Sequence, residues 1–170
     1  MSIINEHCSF GGKMELIIIV LGFILDRVTK VMAFDALGGG YEKQIIKGIF
    51  SLEYYENTGA AFSMLSTKTM LLAFVSLIAV ILMTVVLLKY RKKNRIFDLS
   101  LSFLIAGALG NMYDRFFQGY VIDFFKLHYY NKYTFPIFNV ADVLVCIGAG
   151  FLILYVIKEE IDERRKSSGK

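Results

Sequence analysis

The sequence predicts an all-α membrane protein: four transmembrane helices with a small β-strand cradle on the extracytoplasmic surface. Three observations carry that prediction. Of the 170 residues, 56% are hydrophobic and only 20% are charged. Mean hydropathy is +0.55, high for a water-soluble chain of this length. The apolar residues also stand in long runs rather than at helical or strand spacing, as expected where lipid is the solvent.

The runs are taken in order. The first extends from Met14 to about Phe34 and is broken by Asp26, Arg27 and Lys30. Lys13 precedes it as in a signal peptide, but no small-x-small cleavage site follows, so the span is expected to be retained. The second covers Met70–Leu88, the third Phe97 to about Phe117, and the fourth about Ile137–Ile157. Each approaches the ~20 residues a helix needs to cross ~30 Å of hydrocarbon. None shows the two-residue alternation of a membrane barrel. The expected organisation is an N-terminal tail over 1–13, a four-helix transmembrane domain over 14–158 and a charged cytoplasmic tail over 159–170.

Between the second and third spans, Lys89–Arg95 carries five positive charges, which marks the cytoplasmic side. Four spans then place both termini in the cytoplasm and the long connections, about 35–69 and 118–136, outside. Gln44–Tyr55 follows a Gly38-Gly39-Gly40 turn, is rich in Ile, Phe, Leu and Tyr, and roughly alternates, so one or two surface strands are expected there.

The net charge is +4. The basic residues gather at the ends of apolar runs, where they set topology and meet lipid headgroups, so no nucleic-acid partner is expected. Cys8 and Cys146 have no evident mates, and no Cys-x-x-Cys or His-x-x-His spacing suggests a metal site.

On this topology the polar residues converge. Asp26, Arg27 and Lys30 lie at the outer end of the first span, Asn111, Asp114 and Arg115 at the outer end of the third, and Asn139 and Asp142 at the outer start of the fourth. Asn57 and Asp123 fall in the outer connections near the membrane. Ionisable groups within spans are costly and by default functional; the alternative for Asp26, Arg27, Lys30, Asp114 and Arg115 is that they pair with one another and anchor the helix ends. Asp26 and Lys30 stand at i and i+4, as do Asn111 and Arg115, so each pair shares a helix face. Ala106 and Gly110 form a small-xxx-small step that admits a close neighbour. Asp123 sits among apolar residues and Asp142 opens a span, so both are expected to be partly desolvated. If they meet, they can share a proton and activate one water for amide hydrolysis. His7 and His128 are placed as ordinary tail and loop residues. The residues alone also leave open an ion-coupled transporter or a non-catalytic scaffold.

Five blocks add to that reading. They are Asp26-x-x-x-Lys30, Glu56-Asn57-Thr58-Gly59-Ala60-Ala61-Phe62, Gly107-Ala108-Leu109-Gly110-Asn111-x-x-Asp114-Arg115, Val121-Ile122-Asp123-Phe124 and Phe138-Asn139-Val140-Ala141-Asp142. In content and order they resemble the signature blocks of bacterial lipoprotein signal peptidase, or signal peptidase II. The resemblance implies an intramembrane aspartyl endopeptidase of the inner membrane that cleaves a prolipoprotein before its diacylglyceryl-modified cysteine. It places the catalytic pair at Asp123 and Asp142. It places substrate-positioning roles at Asn57, Asn111, Arg115 and Asn139, and supporting roles at Asp26, Lys30, Gly59 and Asp114. It implies no metal or cofactor, prolipoproteins and membrane lipids as partners, globomycin-type peptides as inhibitors, and a site near the extracytoplasmic face. A monomer is expected. Residues 1–13 are not needed by this core.

Overall fold

The structure, a computed structural model, describes residues 4–59, 68–90, 94–130 and 132–169, with side chains from residue 13 onward. Ala60–Phe62 of the second block and Arg91, Lys92 and Lys93 of the basic loop lie outside those residues.

The chain folds as α1 (Ile4–Leu37), β1 (Glu42–Ile46), β2 (Phe50–Asn57), α2 (Thr69–Tyr90), α3 (Arg95–Phe117), β3 (Val121–Tyr129), β4 (Tyr133–Thr134) and α4 (Val140–Ser168). Among the described residues, α2, α3 and α4 are long and apolar enough to cross a membrane. α1 starts inside the segment expected as a tail, and α4 continues through the charged C-terminal residues. At 1.5 Å per residue, each of α2 and α3 spans roughly 33 Å.

α3 is the hub and packs against α1, α2 and α4. Burial runs opposite to that of a soluble bundle. Large apolar side chains such as Leu21, Leu82 and Leu154 point outward, whereas Asp26, Lys30 and Asp114 are fully buried. In lipid the outside is as apolar as the inside, so burial goes to groups that need hydrogen-bond partners. The Ala106–Gly110 step does admit α1. A Cβ on Gly22 would stand 2.9 Å from that of Ala106, and one on Gly110 would overlap the Asp26 carboxylate.

The strands form one antiparallel sheet in the order β1-β2-β3-β4. The surface strands expected over Gln44–Tyr55 are β1 and β2. The connection over 118–136 holds two strands beyond those expected, β3 and β4. Its Val121, Ile122, Phe124 and Phe125 suit a pleated, half-buried surface, and β2 supplies the partner that gives them a ladder. Tyr55 stands opposite Asp123 and Asn57 opposite Val121. The N–H groups of Phe124 and Phe125 both donate to the Phe138 carbonyl, at 3.0 and 2.8 Å, and the Phe138 N–H donates back to Phe125 at 3.1 Å. This stitch ties β3 to the approach to α4. Ala33, Leu37, Ile122 and Phe124 form a core that seats the sheet on the end of α1.

Candidate active site

The site is built where α1, α3, α4 and the sheet meet. Asn139 is its centre. It is fully buried and caps α4: its Oδ1 accepts the Asp142 N–H at 2.9 Å while Asp142 Oδ2 accepts the Asn139 N–H at 3.1 Å. A cap of this reciprocal kind satisfies two N–H groups that no helical carbonyl can reach. The Asn139 amide nitrogen then donates to Asp123 Oδ1 at 2.6 Å and to Asn111 Oδ1 at 3.0 Å. One asparagine therefore touches both carboxylates, one through its side-chain N–H and the other through its main chain.

Each carboxylate also accepts from a second amide. Asn57 Nδ2 donates to Asp123 Oδ2 at 2.9 Å, and Asn111 Nδ2 donates to Asp142 Oδ1 at 2.8 Å. Asn57 is held in turn by the Gly59 N–H, which donates to its Oδ1 at 2.9 Å. The Gly59 carbonyl accepts from Arg115 Nη2 at 3.0 Å, and Arg115 Nη1 reaches the Asn111 carbonyl at 3.3 Å. Asn111 and Arg115, which share a helix face as the spacing predicts, meet guanidinium to main chain, because the Asn111 amide is committed to Asp142 and Asn139.

Behind this layer lies an ion cluster. Lys30 Nζ sits 2.9 Å from Asp26 Oδ2 and 2.7 Å from Asp114 Oδ2, and donates to Asn111 Oδ1 at 3.0 Å. Arg27 also pairs with Asp114, and its guanidinium lies over the Tyr113 ring, 4.5 Å from the centroid. Asp26 Oδ1 accepts the Ala141 N–H at 2.9 Å, a second anchor for the start of α4. The cluster is thus an interhelical strut whose cation also orients Asn111. Pairing accounts for these charges, as the alternative reading of the sequence allowed.

Asp123 and Asp142 both line one cavity of about 940 Å³, together with Asn57, Asn111 and Arg115. Apolar side chains from both layers complete it, among them Leu127 and Phe135 from the sheet side and Val143 and Ile147 from α4. Asp123 stands on a strand outside the helices and is 2% exposed. Burial pushes its carboxyl up to about 7; the Asn57 hydrogen bond opposes this and the nearby Asp142 charge adds to it. The structure therefore brings every sequence-selected residue to one place, in two shells. Asp123, Asp142, Asn57, Asn111 and Arg115 face the cavity. Asn139, Gly59, Asp26, Lys30 and Asp114 brace them from behind.

Sequence reasoning missed the apolar cavity wall and the Phe138 stitch. The β-branched and aromatic residues of β3 were the available signal for the strand. Cys146, for which the sequence offers no mate, also lines the cavity. His128, placed in a loop, is on β3. Among the described residues no group of His, Cys, Asp and Glu is arranged to hold a metal ion.

The chain is similar to known proteins. A family described as Signal peptidase (SPase) II matches residues 18–158. A lipoprotein signal peptidase from Clostridium novyi (strain NT) is 46% identical over 146 residues, 86% of this chain and 99% of the relative. One from Clostridium tetani (strain Massachusetts / E88) is 48% identical over 153 residues, 90% of this chain and 98% of the relative. Two solved bacterial membrane enzyme structures, obtained by the in meso method, share the fold. The first, at 2.3 Å, has a TM-score of 0.74 and 29% identity, covering 87% of this chain and 90% of that one. The second, at 1.9 Å, has a TM-score of 0.72 and 30% identity, covering 86% and 94%.

Proposed function

The chain belongs to the signal peptidase II family, and we propose that Asp123 and Asp142 are its catalytic pair, cleaving the signal peptide from prolipoproteins just before the diacylglyceryl-modified cysteine. The observation that carries this reading is the shared hydrogen-bond frame: two acids from different elements, β3 and α4, joined through Asn139, open into one apolar cavity.

The chemistry follows from the frame. Asp123, the more buried acid, holds the shared proton, and Asp142 is the base. A water between them loses a proton to Asp142 as its oxygen attacks the scissile carbonyl carbon. The Asp123 proton passes to the carbonyl oxygen, giving a neutral gem-diol. The C–N bond then breaks as the proton on Asp142 moves to the leaving nitrogen. A hydroxyl proton returns to Asp123, leaving a carboxylic acid and a free amine. No nucleophilic side chain is consumed. The amides of Asn57, Asn111 and Asn139 fix where each carboxylate points, which lowers the reorganisation needed at the moment of reaction. Arg115, with two of its donors on main-chain carbonyls, has further N–H groups for a substrate carbonyl.

Signal helix and acyl chains are apolar and suit the Leu127, Phe135, Val143 and Ile147 wall. We read α1 as a fourth span, its buried charges neutralised by the strut. Both termini then lie in the cytoplasm and the cavity near the extracytoplasmic face. An impermeant amine label applied to intact cells should miss Lys92 and Lys93; efficient labelling there would invert this orientation. Globomycin-type peptides are expected to occupy the same cavity, and the protein to act as a monomer. The test of function is cleavage by purified protein of a synthetic diacylated precursor beside its unlipidated form. Turnover of the lipidated form alone supports the reading, and equal turnover of both rejects the lipid specificity.

A further inference from the structure

The far end of the sheet carries a second feature that catalysis does not use. The β1–β2 and β3–β4 turns are joined there: the Tyr130 N–H donates to the Gly48 carbonyl at 2.7 Å and the His128 N–H to that of Ile49 at 2.8 Å. Tyr130 has a left-handed φ of 47° and Gly48 a φ of 75°. A side chain at Gly48 would meet the Tyr130 ring, so this position needs glycine for both reasons. At ~3.3 Å per residue, Tyr129 is roughly 20 Å along the strand from Asp123.

The outer part of the sheet is amphipathic. The register groups Ile46, Phe50 and Leu127 on one face, with the facing pair Tyr129 and Tyr133 beyond them. Gln44, Ser51 and Lys126 fall on the other face. Lys126 is spent there on Glu53 at 2.5 Å and Glu42 at 3.3 Å, and Ser51 holds the other Glu42 oxygen at 2.6 Å. Leu127, on the apolar face, shares the cavity wall with Val143 and Ile147 of the membrane-crossing α4. The apolar face is therefore the one turned to the cavity and the helical layer, and the charged face is turned away from them.

Among the described residues, the outer part of the apolar face and the tip are left exposed. Ile46 is 52% exposed, and Tyr129, Tyr130 and Tyr133 are 59%, 59% and 61% exposed. Lys43, Lys47 and Lys132 surround them, all exposed and with no ion pair among the described residues. Tyrosine at a membrane interface puts its ring among the acyl carbons and its hydroxyl among headgroups, and unpaired lysines beside it favour anionic phosphates.

We propose that this tip is an anchor for anionic phospholipid in the adjoining leaflet, with the tyrosines inserted and Lys43, Lys47 and Lys132 on the headgroup phosphates. The anchor would fix the height of the sheet over the bilayer, and so the height of the cavity mouth. Each lysine contributes about fivefold to the local preference for an anionic headgroup, the equivalent of ~1 kcal/mol.

The chain contains no tryptophan, so Tyr130→Trp and, separately, Tyr133→Trp each give a single reporter. The full-length variants are placed in vesicles of phosphatidylcholine alone or with phosphatidylglycerol, each with lipids brominated near the headgroup end of the chains. The anchor predicts blue-shifted emission and bromine quenching. Quenching should be stronger with phosphatidylglycerol and should fall to the phosphatidylcholine level in a Lys43→Gln/Lys47→Gln/Lys132→Gln background. Water-like, unquenched emission from both reporters overturns the proposal. Quenching indifferent to phosphatidylglycerol and to the lysines overturns it too. Quenching that rises with protein density instead of anionic lipid assigns the face to a second copy and overturns it as well. None of these readouts depends on peptidase activity, so failure here is distinct from failure of the proposed function.

Discussion

Replacing Asn139 separates what this residue does for the helix from what it does for the chemistry. The side chain caps α4 by accepting from the Asp142 N–H at 2.9 Å, and it orients Asp123 by donating to Oδ1 at 2.6 Å. Serine keeps the first function, being among the best N-caps, but has no amide to span the gap to Asp123. Alanine keeps neither. The hydrogen bond to the carboxylate is charge-assisted and worth ~1.5–3 kcal/mol, and the cap about 1 kcal/mol. If the first is realised in the transition state, Asn139→Ser lowers kcat by roughly 10- to 150-fold, at ~1.4 kcal/mol per decade. Asn139→Ala loses at least as much activity and about 1 kcal/mol more stability than the serine variant. The assay is single-turnover cleavage of a diacylated precursor, with thermal unfolding measured in the same detergent. Asn139→Ser at the wild-type rate would refute the claim that this amide positions Asp123.

Two further predictions use the same geometry. Asp123 must be protonated to donate to the carbonyl oxygen, and burial pushes its carboxyl up to about 7, so the cleavage rate falls as pH rises through that value. The raised value also means that the folded state holds this proton more tightly than the unfolded chain. The stabilisation this supplies is fully present below the ordinary value of 3.8 and is lost as pH rises to about 7. A pH–rate profile for wild type that is flat through neutrality would argue against Asp123 as the acid. Gly110→Ala places a methyl group against the Asp26 carboxylate and 3.2 Å from the Ala141 Cβ. It should break the Asp26–Ala141 hydrogen bond and cost about 1–3 kcal/mol, the usual range for overpacking; an unchanged unfolding midpoint would show that α1 yields freely there.

The helices were legible because lipid demands continuous apolar runs, so residues such as Met70–Leu88 announce themselves without tertiary context. The Asp26–Lys30 strut was legible as an i, i+4 pair, and the structure adds Asp114 and Asn111 to it. β3 was not legible because Asp123 interrupts its apolar pattern and its partner β2 is far away in sequence. Its bulge onto Phe138 depends on contacts that only the folded chain makes. The two aspartates could be selected from their apolar settings and from the family resemblance. The way they are joined could not, because a single asparagine that caps one helix, spans to a strand and meets a second helix has no periodic signature. Gly110 was read as a generic close-packing step. Its particular neighbour, a carboxylate, follows from the rotation of α1, which side-chain pairing sets.

The most direct measurement compares purified wild type, Asp123→Asn and Asp142→Asn on the diacylated precursor, with matched unfolding midpoints as proof of folding. Both variants should give no cleaved signal peptide above the uncatalysed rate. Either variant working at the wild-type rate would remove that carboxyl from the chemistry and contradict the two-acid account.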